Sequence, residues 1–141
     1  MSSENQLNRF TEAQQQTYDS AVREIRNGRK QSHWMWFIFP QIRGLGHSST
    51  AKFYAILDRQ EAADYLRHPV LGSRLETICN ALLQLKENNA NRVFGTPDDL
   101  KLKSSMTLFA ALPEASPVFQ QVLDKFFNGA ADGRTLDILG Q

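Results

Sequence analysis

Residues 32–47 read SHWMWFIFPQIRGLGH and hold both tryptophans of the chain, two of its three histidines and a Gly-x-Gly turn. They lie in a window without acid, because no Asp or Glu occurs between Glu24 and Asp58. The net charge of the whole chain is only +1, so positive charge is concentrated here. We therefore expect functional residues in this window, which carries five cations: Arg26, Arg29, Lys30, Arg43 and Lys52.

The apolar run Trp34–Phe39 predicts a short buried helix. A run this short is ambiguous by periodicity alone. Ser32 before it is a candidate cap and Pro40 after it a terminator, and both favour a helix over a strand. Beyond Pro40, Gly44 and Gly46 predict a loop.

Outward from this segment, the sequence has a helical pattern in both directions. Apolar residues recur at helical spacing, no window alternates as a strand does, and residues 86–91 have the composition of a polar loop. Ser48 or Ser49 and then Asp58 are candidate caps for the next two helices, and Thr96 is a candidate cap for a helix whose first residue is Pro97. The predicted helices cover about residues 10–25, 34–39, 49–57, 58–66, 70–85, 97–112, 117–127 and 132–139.

These patterns predict the fold class. A chain of 141 residues fits one domain. We expect an all-α fold over residues 1–141, a compact multihelical domain of about seven helices rather than a simple four-helix bundle. Residues 1–6 are expected to form a flexible N-terminus.

Composition argues against several classes of protein. Near-neutral charge disfavours a general nucleic-acid binder, whose basic face raises the pI above about 9. No apolar run approaches the ~20 residues of a membrane span, and the N-terminus lacks a signal pattern. We therefore expect a cytoplasmic protein with no membrane partner. The single cysteine, Cys79, lies in an apolar helical pattern, which predicts a buried residue and excludes an internal disulfide.

The Gly44–Gly46 turn has features of an anion-binding loop. Glycines let the backbone approach a ligand closely, and the helix that begins directly afterwards offers unpaired amide protons. Arg43 and His47 would add charge-assisted hydrogen bonds. The alternative is a tight helix–helix turn with a serine cap, because the sequence matches neither common phosphate-binding glycine motif.

The aromatic residues of the run exceed what a short helix can bury. Trp34 or Trp36 is therefore expected to line a cavity and stack on a flat ligand such as adenine. The alternative is that both rings pack in the core. His33, at the start of this helix, is a candidate general acid or base, or else it bonds to the backbone.

The helix Pro97–Phe109 carries a second set of candidates. Lys101 and Ser105 head an otherwise apolar stripe, so the pair is expected to face a polar cavity. Alternatively, Ser105 packs as a small residue and Lys101 extends to water. Asp98 is either a helix-start acid or, close to His33, a base or an orienting residue.

The histidines do not predict a metal site. His33, His47 and His68 are separated by 14 and 21 residues. The sequence has no H-E-x-x-H motif and no cysteine pair. We predict no metal and no cofactor.

Five strings of the sequence carry a resemblance to a known family. They are FxxAQ (10–14), GRKxSHWMWFIFPQ (28–41), GLG (44–46), YLxHPVLGxRL (65–75) and FGxPDDxKLxSSMTLF (94–109). They resemble the uncharacterised bacterial family known as domain of unknown function 1810. The resemblance runs from about Leu7 to the C-terminus and implies a single all-helical domain, but no reaction. Members often carry the label calpastatin, which fits poorly because a calpain inhibitor resembles a disordered, repetitive polar chain.

Three functional hypotheses follow, and burial discriminates between them. The leading one is a pocket for a small phosphorylated or nucleotide-like anion between the Ser32–Ser49 segment and the Pro97–Phe109 helix. If that site is catalytic, it would serve a hydrolase or transferase, with His33 and Asp98 as the acid–base pair. The second is a non-enzymatic protein–protein interaction module with an exposed aromatic-basic patch, and the third is a purely structural role. The expected ligand-binding residues are Lys30, Trp34, Trp36, Arg43, Gly44, Gly46, His47, Lys101 and Ser105.

Overall fold

The described chain is built of α-helices, and the longest connection between two of them is residues 39–48. The computed structural model describes residues 3–140. Within that range it holds ten α-helices and one isolated parallel bridge, between Ile42 and Ile56. The helices are α1 (Ser3–Gln15), α2 (Tyr18–Arg26), α3 (Met35–Ile38), α4 (Ser49–Tyr54), α5 (Arg59–Arg67), α6 (Leu71–Leu83), α7 (Ala90–Phe94), α8 (Asp98–Ala110), α9 (Val118–Phe127) and α10 (Gly133–Leu139).

The all-α class is confirmed, whereas the number of helices in the described range is larger than expected. Seven of the ten helices have seven or more residues, and α3, α4 and α7 are shorter. Helix α7 begins inside the predicted polar loop, because the Asn89 side chain caps it by accepting the N–H groups of Asn91 and Arg92 at 2.9 and 3.3 Å. Among residues 3–140, no helix is both long and apolar enough to cross a membrane.

The N-terminal region differs from the prediction in where its helices begin and end. The predicted helix over residues 10–25 is divided into α1 and α2, because Thr17 forms hydrogen bonds to carbonyl groups in the last turn of α1. Its hydroxyl donates to Ala13 O at 2.7 Å and its N–H to Gln14 O at 3.1 Å, bonds that compete with a continuing helix. Of the expected flexible residues 1–6, residues 1 and 2 lie outside the described range, and residues 3–6 belong to α1.

Two of the predicted caps are confirmed. Ser48 Oγ accepts the N–H of Ala51 at 3.1 Å at the start of α4, and Asp58 Oδ1 accepts that of Glu61 at 2.9 Å at the start of α5. Both side chains satisfy amide groups that have no partner within the helix.

Two other predicted caps are wrong. The Thr96 hydroxyl accepts a hydrogen bond from Asn91 Nδ2 at 2.6 Å instead of capping α8. The Ser32 hydroxyl donates to Glu24 instead of capping α3. Helix α4 ends at Tyr54 rather than at residue 57, because residue 56 pairs with residue 42 in the parallel bridge.

Helix α8 is the central helix of the domain. It packs against α5, α7, α9 and α10. Leu102 and every residue from Ser104 to Phe109 are buried. The helix from residue 105 onwards therefore faces protein along both stripes, and only the first two turns line a surface cavity.

The corner between α5 and α6 depends on His68 and Gly72. His68 Nδ1 accepts the N–H groups of Val70 and Leu71 at 3.1 and 3.2 Å, so the imidazole caps the start of α6. A Cβ atom on Gly72 would lie 2.1 Å from the carbonyl oxygen of Leu66. Only glycine permits this approach of the two helices.

Cys79 is fully buried, as predicted. Its sulfur lies 3.6 Å from the Met106 sulfur in the core. Burial raises the pKa of the Cys79 thiol, so the side chain is a packing residue rather than a nucleophile.

Candidate functional site

Glu24 organises the backbone at the start of residues 32–47, which we call the aromatic segment. Its Oε1 accepts the N–H of Gln31 at 2.7 Å, that of Ser32 at 2.9 Å and the indole N–H of Trp34 at 2.9 Å. Its Oε2 accepts the Ser32 hydroxyl at 2.6 Å. Burial alone would raise the pKa of Glu24, but these four donors lower it from 4.5 to about 2. The carboxylate therefore acts as a fixed acceptor that holds residues 31–34 in place.

Trp34 and Lys30 belong to this anchored core. Trp34 is 1 % exposed, so neither face of its ring is available to a ligand. The Lys30 ammonium lies 4.9 Å from the Trp34 ring centroid, donates to Ser32 O and pairs with Asp98 Oδ2 at 2.9 Å. Lys30 and Trp34 are thus held by protein groups and line neither of the two cavities described below, so contact of either residue with a ligand stays a prediction.

Asp98 joins two lysines, each of which covers a tryptophan. Asp98 Oδ2 pairs with Lys30, as described above, and Asp98 Oδ1 lies 3.3 Å from the Lys101 ammonium. The Lys101 ammonium in turn lies 3.7 Å from the Trp36 ring centroid. We call Lys30, Asp98 and Lys101 the Asp98 bridge. It ties the first turn of α8 to the aromatic segment on both sides, so these two regions are neighbours, as predicted.

The predicted acid–base pair is not assembled. His33 is exposed, and no hydrogen bond joins it to Asp98. Both carboxylate oxygens of Asp98 are held by ammonium groups. In this arrangement Asp98 orients lysines rather than accepting a proton from His33.

A cavity of about 410 Å³ lies between the aromatic segment and the first turn of α8. We call it the basic cavity, because three of its four charged lining residues are cations: Lys101, Lys103 and Arg134. The fourth is Asp132, which caps α10 by accepting the N–H and hydroxyl of Thr135 at 3.0 and 2.6 Å. The other lining residues are Trp36, Gln41, Leu45, Gly46, Pro97, Leu100 and Ser104.

A second cavity, of about 210 Å³, is lined by all three residues of the Gly44–Gly46 turn. We call it the apolar cavity, because most of its walls are hydrocarbon; its charged lining residues are Arg43 and Lys52. The lining residues are Ile42, Arg43, Gly44, Ala51, Lys52, Tyr54, Ala55 and Leu57, together with Trp36, Gln41, Leu45 and Gly46, which also line the basic cavity.

The glycine turn brings the loop against both Trp36 and α4. Gly44 has a φ of +96°, a left-handed conformation that other residues rarely adopt. A Cβ atom on Gly46 would lie 2.6 Å from the Ala51 Cβ and 3.6 Å from Trp36 Cη2. The Arg43 Nε donates to Leu57 O at 2.8 Å, which fixes this guanidinium beside the apolar cavity.

Two other expected residues lie outside both cavities. Ser105 is fully buried in the core side of α8, and its hydroxyl has no hydrogen-bond partner among the described residues. It packs as a small core residue, in agreement with the alternative interpretation of the sequence. His47 is exposed and lines neither cavity.

Five polar or charged residues of the basic cavity are not among the ligand-binding residues expected from the sequence: Gln41, Lys103, Ser104, Asp132 and Arg134. Asp132 and Arg134 come from the C-terminal helix region, which packs against α8. No spacing in the sequence connects this helix with the aromatic segment. One signal was available in the sequence, because Lys103 is a second cation two residues after Lys101 in the same predicted helix.

Comparison with known proteins places the chain in a family. The model of a family described as protein of unknown function (DUF1810) matches residues 4–139. The chain belongs to this family. Its structure is similar to the crystal structure of the conserved hypothetical protein Rv1873 from Mycobacterium tuberculosis, with a TM-score of 0.93, 47 % sequence identity and 96 % of each chain covered. No curated protein matches the chain. The resemblance seen in the sequence is confirmed, and family membership brings no reaction with it.

Proposed function

We propose that this protein binds a small phosphorylated or nucleotide-like anion in the basic cavity. The observation that supports this most strongly is the lining of the cavity. Lys101, Lys103 and Arg134 converge there with one carboxylate, Asp132, and that carboxylate is already engaged as the cap of α10.

The cations of the cavity are available to a ligand to different degrees. No ion pair within residues 3–140 includes Lys103 or Arg134. Like-charged groups that share a concave, partly desolvated surface favour the entry of an anion. Lys101 is paired with Asp98, so it would add charge from a fixed position at the wall.

The position of Trp36 favours a ligand that carries a ring. It is half-buried, in contrast to Trp34, and lines both cavities. An indole at a cavity wall supplies a stacking face together with a polar N–H group. Of the two tryptophans expected to stack, Trp36 is the one we assign to the site.

The proposal is limited to binding. A hydrolase or transferase would need a free base or nucleophile. The expected base, Asp98, is paired with two ammonium groups, and the carboxylate of the cavity, Asp132, accepts hydrogen bonds from Ser104 and Thr135. A protein-interaction role through an exposed aromatic-basic patch gains little support, because Trp34 and Phe39 are buried and Trp36 faces the cavities.

Calorimetric titration and thermal unfolding with inorganic pyrophosphate, sugar phosphates and nucleotides test the proposal. A ligand at about one hundred times its Kd should stabilise the protein by about 2.7 kcal/mol. Lys103→Met and Arg134→Met should each weaken binding, whereas Lys86→Met, at an exposed residue of the loop after α6, should not. The proposal is wrong if no phosphorylated compound binds, or if the two cavity variants bind as the wild type does.

A further inference from the structure

The basic cavity and the apolar cavity lie side by side. They share Trp36, Gln41, Leu45 and Gly46 as lining residues. Two cavities with a common wall can be filled by one molecule, provided that its two parts match the chemistry of each side. The chemistry of the two sides differs, and this difference restricts the ligand.

The apolar cavity suits a flat, largely apolar group. Ile42, Tyr54, Ala55 and Leu57 contribute hydrocarbon and aromatic surface. Leu57 is 46 % exposed, so part of this surface faces water when the cavity is empty. Covering apolar surface contributes roughly 25 cal/mol per Å², which favours a ring in this cavity. Arg43 and Lys52 also line it, and the Arg43 guanidinium is bonded to Leu57 O.

Gly46 lets the loop that both cavities share approach α4 and Trp36 closely. A Cβ atom there would lie 2.6 Å from the Ala51 Cβ, 3.6 Å from Trp36 Cη2 and 3.7 Å from Cζ3. A side chain at this position would clash with α4 and crowd the edge of the Trp36 ring. The shape of the shared wall therefore depends on glycine at this position.

We infer that the ligand has two linked parts, a flat ring that occupies the apolar cavity and a phosphate group that occupies the basic cavity. The bonds that link the two parts of the ligand lie across Trp36. Lys103 and Arg134 lie beside the phosphate, and Tyr54 and Leu57 lie beside the ring. The substrate class is thus a ring-bearing phosphate, such as a nucleoside diphosphate or an aryl phosphate. This inference rests on the proposed function, because it assumes that the basic cavity holds the anion.

Calorimetric titration with matched probes tests the inference. Adenosine diphosphate, uridine diphosphate and phenyl phosphate carry a ring, and inorganic pyrophosphate and inorganic phosphate do not. At least one ring-bearing probe should bind about tenfold more tightly than the inorganic anion of the same charge, which corresponds to about 1.4 kcal/mol.

Two variants locate the ring. Ala55→Phe fills the apolar cavity and should remove the advantage of the ring-bearing probe while leaving the affinity for pyrophosphate unchanged. Leu57→Trp, at an exposed position of the same wall, should likewise remove the advantage of the ring-bearing probe and leave the affinity for pyrophosphate unchanged. It replaces Ala55→Phe in the test if circular dichroism shows that Ala55→Phe does not fold. Lys103→Met should weaken the binding of both kinds of probe.

The outcomes separate the two proposals. If neither the inorganic anions nor the ring-bearing probes bind, the proposed function fails. If pyrophosphate binds but no ring-bearing probe binds more tightly, the proposed function stands and the two-part ligand is overturned. The two-part ligand is also overturned if both cavity-filling variants weaken pyrophosphate binding as much as they weaken binding of the ring-bearing probe.

Discussion

The ammonium group of Lys101 lies 3.7 Å from the centroid of the Trp36 ring, at the wall that the two cavities share. The same ammonium is 3.3 Å from Asp98, whose other oxygen holds Lys30 against Trp34. A cation over an indole face is stabilised by the ring quadrupole. The Asp98 bridge therefore fixes both tryptophans relative to α8, although only one of them lines a cavity.

We expect Asp98→Asn to destabilise the protein more than Asp99→Asn does. Both changes remove a carboxylate from the first turn of α8, so both lose the same interaction with the helix dipole. Only Asp98→Asn leaves the Lys30 ammonium, whose side chain is 8 % exposed, without its counter-charge. The difference in the free energy of unfolding between the two variants should be roughly 1.5–3 kcal/mol in urea denaturation. Equal losses would mean that the Asp98 bridge contributes nothing to stability.

Glu24 should make stability depend on acid pH. Its pKa is about 2 in the folded chain against an ordinary value of 4.5, so the folded state binds this proton less tightly than the unfolded state. The stabilisation is therefore complete above about pH 5 and is lost as the pH falls towards about 2.

The measurement for Glu24 is the free energy of unfolding of wild type and Glu24→Gln between about pH 5 and pH 3. The advantage of the wild type should shrink steadily as the pH falls. Glu12→Gln, at an exposed position of α1, is the matched control and should differ little from wild type throughout. A pH-independent gap between wild type and Glu24→Gln would show that the carboxylate charge is not what stabilises residues 31–34.

Local features could be predicted from the sequence because their causes lie within a few residues. Asp58 caps α5 with its own side chain, and the left-handed Asn128 and Gly129 end α9 as the Asn-Gly pair indicates. The apolar pattern around Cys79 likewise predicted its burial. The Asp58 cap and the Asn128–Gly129 stop depend on residues that are close in the sequence, and the burial of Cys79 depends only on the apolar pattern of its own helix.

The site could be predicted only in part because its remaining contacts are tertiary. Trp34 and Trp36 lie two residues apart in the same apolar run, and packing alone makes the first a core residue and the second a cavity wall. Glu24 marks the edge of the acid-free window in the sequence, but its role depends on residues 31–34 folding back onto α2. Arg134 reaches the basic cavity only because α10 packs against α8.

Cys79 should react with a thiol reagent only when the protein unfolds. The side chain is fully buried, and burial raises the pKa of its thiol, so thiolate is scarce and inaccessible in the native state. Labelling with an aromatic disulfide should be slow in buffer and complete in denaturant. An exposed cysteine created by Asn80→Cys in a Cys79→Ala background should react at once in buffer. Rapid native-state labelling of Cys79 would contradict the packing of α6 against the core.

Gly72→Ala should weaken the corner between α5 and α6. The new Cβ would lie 2.1 Å from the Leu66 carbonyl oxygen and 2.9 Å from its carbonyl carbon. Because both are backbone atoms, the two helices must move apart, and such overpacking costs typically about 1–3 kcal/mol. The matched control is Gly133→Ala in α10, where a Cβ would meet no atom within 4 Å and where alanine favours the helix by up to about 1 kcal/mol. Urea denaturation of the two variants should therefore show a loss of stability for Gly72→Ala and none for Gly133→Ala. If Gly72→Ala were as stable as wild type, the close approach of Leu66 to α6 could not be a fixed feature of the fold.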